Sequence, residues 1–297
     1  MKAITFTTIF QANSLNYGEG FGNLSTLKKL TRGNGETYSF QSRQSIRYDI
    51  VRLGNEMFGW NLQTVSKEKG TVQFREDVSI EDSEEMDFFG YFKTTKGQAS
   101  DAREAMVRIT HAISLEPYRS DLDFLNNIGL ARRIGEHANL ANIEQHHSYY
   151  TYTVTIDLDQ IGIDKDIQLP NEERYKRVEQ LLYVIQLLNR KIRGRHENQA
   201  PVFVIGGVYP LANPFFNGRI QLTYDPKGVS IQAGVLSNVV EVETPFGKVG
   251  EYTNMGLNRD MFQNEEELKA LVPEGNTYSI PAFFQDLLTQ VKAYYEV

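Results

Sequence analysis

Apolar and polar residues alternate almost from the start of the chain. Ile4, Phe6, Thr8 and Phe10 interleave with Thr5, Thr7 and Ile9, the period of two that predicts a β-strand rather than a signal peptide. Glycines at 18, 20 and 22 and the turn Arg32-Gly33-Asn34-Gly35 follow, and the period then lengthens. Ile46, Ile50, Leu53 and Met57 recur at helical spacing and form one apolar stripe, with Ser42 placed to cap the helix start. Arg43 and Arg47 flank that stripe and Gln44 lies further round, so the helix packs on a sheet and offers these groups along one edge. Residues 61–104 are irregular, polar and acidic, with short strands expected at Thr71–Phe74 and Phe88–Phe92. Alternation returns from Val107 through Ile109, His111, Ile113 and Leu115. Residues 116–147, broken by Pro117, Gly129 and Gly135, read as a long excursion from the sheet.

Tyr150, Tyr152, Val154, Ile156 and Leu158 predict another strand. A long helix is expected after Pro170, carrying Val178, Leu181, Ile185, Leu188 and Ile192 and stopping at Gly194. Pro201–Val208 reads as a buried strand, and Ile220–Tyr224 with Val229–Val235 as a hairpin around Asp225-Pro226-Lys227-Gly228. A closing helix opens at Ser279 and carries Phe283, Phe284, Leu287, Leu288 and Val291. The order strand, helix, strand, strand, helix, strand is the split β-α-β plan of an α+β, ferredoxin-like fold, here with a large insertion.

Composition narrows the chemistry. The 297 residues include no cysteine, which removes disulfides, thiolate zinc sites and a cysteine nucleophile and fits a reducing cytoplasm. No apolar stretch is long enough to cross a membrane. The net charge of −7 counts against nonspecific nucleic-acid binding, but the charges are segregated. Lys28, Lys29, Arg32, Arg43, Arg47 and Arg52 face only Glu36 and Asp49 within one segment, whereas Glu76 to Asp87 holds seven acids and no base. The bland reading of both is a solvated surface.

No motif supports a nucleophilic triad, a P-loop or a dinucleotide fold, and the alternating glycines at 18–22 do not meet the dinucleotide fingerprint. Glu144, His146 and His147, with His137, are the nearest approach to a metal site, but adjacent histidines on an extended segment face opposite ways. Neither a metal nor a cofactor is expected. At the end of the long helix, Arg190, Lys191, Arg193, Arg195 and His196 complement the helix dipole or make a second phosphate contact. At Ser42–Arg47 the start of a helix suits a phosphate: backbone amides, the neutral donors Ser42 and Gln44, and the guanidinium groups of Arg43 and Arg47.

The run Tyr38-Ser39-Phe40-Gln41-Ser42-Arg43-Gln44-Ser45-Ile46-Arg47-Tyr48, preceded by Leu30-Thr31-Arg32-Gly33, resembles the first-helix signature of CRISPR backbone subunits. Specifically, it resembles the DevR branch of the Cas-seven family, in the RAMP superfamily, found in type I-B interference (Cascade) complexes. Glu85-Met86-Asp87-Phe88-Phe89-Gly90 is similar to the family's acidic Phe-Gly motif, Arg108 to Pro117 to its H-A-I-S strand, and Gly194 to Ala200 to its loop before the last core strand. The resemblance implies a hand-shaped, non-catalytic subunit with an RRM-type palm (1–60 and 148–297, with a C-terminal hairpin and helix), a finger insertion and returning strand (61–115) and a thumb (116–147).

Copies would polymerise head to tail along crRNA and present it to target DNA beside the large, cap and repeat-processing subunits. Carried over by position, Ser42, Gln44 and Arg47 would hold the RNA backbone, with Arg43 beside them. Asn13, Lys28, Lys29, Arg32, Arg193 and Arg195 are supporting RNA contacts by location. Phe124 and Leu125 match the family's bulky base wedge, and Met106 and Val107, nearest its methionine before the H-A-I motif, are counted with them as wedge candidates. Two other readings remain open: an RNA-processing endonuclease of similar fold, which needs a histidine base near the first helix where this chain has none before His111, and an interaction protein that binds no nucleic acid.

Overall fold

The structure, a computed structural model, describes residues 2–68, 70–94 and 100–297. Its centre is a nine-stranded sheet in a mixed α+β architecture. From one edge to the other the strands are Thr277–Tyr278, Asn254–Leu257, Phe203–Tyr209, Ala3–Asn13, His147–Asp157, Ala112–Ser114, Thr37–Gln41 and Lys29–Thr31. Val107–Ile109 also pairs with His147–Asp157. The strands expected from alternation therefore lie side by side in the middle, all antiparallel to their neighbours. Ala3 sits opposite Asp157 and Asn13 opposite His147, a ladder without interruption.

Period-two alternation sorts the first strand between two cores. Ile4, Phe6 and Phe10 join Ile46, Ile50 and Leu53 of the helix Arg43–Phe58, Leu181 and Ile185 of Asn171–Gln186, and Leu287 of Ile280–Tyr295. Phe6 meets Phe283 and Phe284 edge to face at centroid distances of 6.4 and 5.7 Å. The opposite face is covered too: Ile9, Phe203 and Ile205 pack on Phe216, Ile231, Leu236 and Met255. Of the buried threonines between them, two pair across strands, Thr7 with Thr153 at 2.8 Å and Thr5 with Thr155 at 3.3 Å.

Several elements differ from the expectations, each for a local reason. The basic segment contains a hairpin, Lys29–Thr31 against Thr37–Gln41, whose short strands escape a periodicity reading. The strand at 107–115 is bent: Ile109 faces Val154 and Ile113 faces Thr151, so 110–112 oppose only 152–153 and form a bulge. Phe88–Phe92 is not one strand. Ser83 caps a short helix, Glu84–Phe89, Gly90 turns the chain at φ 71°, and the strand Tyr91–Lys93 follows. A Cβ on Gly90 would stand 2.3 Å from the Arg103 carbonyl oxygen.

Residues 116–147 are ordered as the antiparallel strands Asp121–Asn126 and Leu140–Gln145 with a short helix, Ile128–Ala131, between them. Thr71–Phe74 is a strand, paired with Val65–Glu68. The hairpin around Asp225–Gly228 is present, with its second arm ending at Ile231 and the helix Ala233–Val240 after it. The long helix stops at Gln186. Beyond it Asn189–Ile192 pairs with Arg195–Asn198, and Arg193 and Gly194 (φ 47° and 75°) form the two-residue turn. The basic residues from Arg190 to His196 thus lie on a hairpin and do not complement a helix dipole. Among the described residues no helix is long and apolar enough to cross a membrane.

Candidate nucleic-acid interface

The start of the helix Arg43–Phe58 is built by its neighbours. Ser42 is extended (φ −67°, ψ 148°), and its hydroxyl accepts from the Ser45 amide at 3.3 Å. Its own amide donates to Asn16 Oδ1 at 3.1 Å, and the Arg43 amide donates to His111 Nδ1 at 2.9 Å. This corrects the expectation for Ser42 and the first-turn amides. Ser42 is buried and sets the helix start, and two amides expected to face a ligand are already partnered. What points outward is side chains: Arg43 and Gln44 are exposed and Arg47 is half-buried. Sequence reasoning missed Asn16 altogether. Alternation puts His111 on a strand without saying what it faces, and the strand bulges at 110–112, where the ring meets the helix start.

Arg43, Gln44 and Arg47 line a groove of about 350 Å³ together with Phe89, Val107 and Arg108. Arg47 donates to Glu85 at 2.7 Å, and its guanidinium lies 5.0 Å from the centre of the Phe89 ring. Glu85 and Phe89 ride on the helix Glu84–Phe89, which is anchored through Asp87. That carboxylate, fully buried, accepts from Arg103 at 2.7 Å, Arg177 at 2.9 Å and the Gly162 amide at 2.9 and 3.0 Å. Two members of the acidic run thus serve internal contacts, one as the anchor of the insertion and one against the groove's arginine.

The other basic candidates are dispersed. Lys28, half-buried, stands near enough to act electrostatically on His111 together with Arg43. Lys29 is held by Glu144 at 2.6 Å and lies over the Tyr118 ring at 4.5 Å. Arg32 stacks at 4.2 Å on Tyr38. Asn13, Arg193 and Arg195 gather elsewhere, around the loop after the first strand. The Asn13 amide donates to Glu197, Arg193 donates to Ser25 and stacks on Tyr17, and Arg195 donates to the Ser14 carbonyl. Below the helix, Arg190 reaches Asp49 at 2.7 Å, and Gln199 donates to Gln41, tying the hairpin and the loop after it to the helix base.

Phe124 and Leu125 are 57 % and 42 % exposed on the strand Asp121–Asn126. Val107 is 2 % exposed and Met106 packs on the same core, so neither presents the open side chain that a wedge requires. That part of the expectation is corrected. Glu144 is engaged by Lys29 and the Leu27 amide, and His146 is buried with Nδ1 2.7 Å from the Ser39 hydroxyl. Among the described residues no group of three or more His, Cys, Asp or Glu side chains is placed to hold a metal ion.

Burial, and then the charges of Arg43 and Lys28, hold the His111 pKa below the usual histidine value, and burial does the same for His146. Both are neutral in the fold at neutral pH. As pH falls below about 6.5 the unfolded chain takes up protons that the folded chain resists, so stability is lost in the acid direction. A urea midpoint that is level above pH 7.5 and falls between pH 7 and 5.5 is expected, with a shallower fall in His146→Asn. A midpoint unchanged across that window contradicts the assignment.

In sequence, the family described as CRISPR-associated negative auto-regulator DevR/Csa2 matches residues 4–225. Among curated proteins none matches the chain. In structure, a chain of a "CRISPR RNA-guided surveillance complex, pre-nicking" aligns with a TM-score of 0.63 at 12 % identity, covering 97 % of this chain and 100 % of that one. A chain of a second "CRISPR RNA-guided surveillance complex" aligns with a TM-score of 0.59 at 15 % identity, covering 97 % and 99 %. At these identities the likeness is one of fold. The sequence match takes in the first strand, the capped helix, the acidic Phe-Gly helix, the bulged strand and the hairpin at 189–198, and on that extent the chain belongs to the CRISPR-associated DevR/Csa2 family.

Proposed function

We propose that the chain is a non-catalytic backbone subunit that binds crRNA in a type I-B interference complex in the cytoplasm. Copies polymerise head to tail along the guide and present it for pairing with target DNA, beside the large, cap and repeat-processing subunits. The strand order 203–209, 3–13, 147–157, 107–114, with the helices Arg43–Phe58 and Asn171–Gln186 packed on one face beside the closing helix Ile280–Tyr295, supports a ferredoxin-like, RRM-type palm formed by 1–60 and 148–297. Residues 61–115 are then the finger insertion and returning strand, and 116–147 the thumb, with Phe124 and Leu125 as its wedge.

One observation carries the reading: Arg43, Gln44 and Arg47 leave one edge of a firmly capped helix and meet Arg108 across a groove. Guanidinium groups without a base-edge reading frame suit a ligand whose sequence varies and whose backbone does not. Purified protein is expected to retain unrelated single-stranded RNAs alike at low salt. On a guide long enough for several copies, chemical probing should find exposed bases at regular intervals, and Phe124→Ala should blur them. No retention at low salt sinks the proposal, and an unchanged pattern removes Phe124.

His111 bears on the endonuclease reading, because the fold places it beside the first helix after all. With Nδ1 accepting from the Arg43 amide, a neutral ring carries its proton on Nε2 and its basic lone pair is occupied. A repeat-containing RNA should therefore remain uncut. Cleavage that disappears in His111→Ala would favour the enzyme.

A further inference from the structure

We infer that the groove beside the first helix holds one nucleotide unit of single-stranded RNA, its base stacked on the Arg47–Phe89 pair and its phosphate held by Arg43 and Arg108. The inference rests on the RNA-binding reading and adds to it a base platform at Phe89 and a phosphate contact for Arg108. Three arginines from two elements converge there: Arg43 and Arg47 from the helix, Arg108 from the strand Val107–Ile109. Such convergence of like charge in a chain of net charge −7 suits an anion, and the volume of about 350 Å³ suits one nucleotide rather than a bare phosphate.

The groove is not uniformly polar. Val107, Ile109 and Ala105 give it an aliphatic wall. The guanidinium of Arg47 is set against the Phe89 ring at 5.0 Å and fixed at one edge by Glu85 at 2.7 Å. A guanidinium plane held in this way is a platform on which any base can stack, because every base has a π-face. Glu85 and Phe89 thus act as positioning groups for Arg47, and Asp87 fixes the helix that carries both. Among the described residues Arg108 forms an ion pair with Glu104 at a loose 3.4 Å and acts on Asp157 only through its charge, and the exposed Glu104 pair is one that a phosphate displaces at little cost.

The test uses the purified full chain, a short oligoadenosine, and an abasic ribose-phosphate oligomer of the same length. Arg108→Ala is expected to weaken oligoadenosine binding about three- to ten-fold and to reduce the slope of log affinity against log salt by roughly 0.7, the loss of one phosphate contact to a single strand. Wild-type protein should hold oligoadenosine at least about five-fold more tightly than the abasic oligomer, and Phe89→Leu, which keeps the apolar packing, should narrow that preference while Phe89→Tyr restores it. A purely structural Phe89 would move both affinities together. If wild-type protein binds RNA but Arg108→Ala leaves the slope unchanged and Phe89→Leu leaves the preference unchanged, the nucleotide pocket is wrong and the RNA-binding reading stands. If wild-type protein binds neither oligomer, both fall.

Discussion

Asp87→Ala is expected to destabilise the fold by about 3–5 kcal/mol, measured as a lower urea midpoint at an unchanged slope. The carboxylate is fully buried between Arg103 and Arg177, which are themselves almost wholly buried, and it accepts the Gly162 amide as well. Removing it leaves two guanidinium groups in a poorly solvated interior with only their weaker partners, Asp164 at 3.7 Å from Arg103 and Glu173 at 3.3 Å from Arg177, which costs far more than the net worth of an intact pair. Asp87→Asn keeps the shape and some hydrogen bonds and should fall between the two. The effect should reach the groove, since Asp87 fixes the helix bearing Glu85 and Phe89: the surviving folded fraction of Asp87→Asn is expected to bind RNA more weakly. A change in stability below about 1 kcal/mol would mean that the insertion is held by other contacts.

The second large effect is on binding. Gln44→Ala with Arg47→Ala should weaken retention of single-stranded RNA by roughly 10- to 100-fold, and by the same factor for unrelated sequences. Both side chains leave the helix edge without a role in the core: Gln44 is exposed, and Arg47 pairs only at the surface of the groove. The double variant should therefore unfold like the parent. A loss confined to one RNA sequence would contradict backbone recognition, since phosphates and ribose are common to all sequences.

Much of the site was legible in the chain itself. A serine before an apolar stripe marks a helix start, and Ser42 does cap it. The spacing of Arg43 and Arg47 places both along one edge, as observed. What failed was the assumption that a helix start keeps its donors for a ligand. Asn16 and His111 take up the Ser42 and Arg43 amides, and both arrive from distant parts of the chain. Leu188 and Ile192 continue the spacing of the long helix past its end at Gln186, while the turn at Arg193 and Gly194 depends on backbone conformation that spacing does not encode. Met106 and Val107 stand nearest the family's methionine in register, but register does not show burial, which packing decides.

By itself, then, the sequence determined which segments are strands and helices at the centre of the molecule. The periods of two and 3.6 are local consequences of burying one face of each element. It also determined where arginines stand relative to a helix start. The tertiary structure alone decided which of those arginines share a groove, that the acidic run supplies Asp87 as an anchor and Glu85 as a partner of Arg47, and that His111 stands at the helix start. Each of these is a contact between residues far apart in the chain, set by sheet register and by the satisfaction of buried charge.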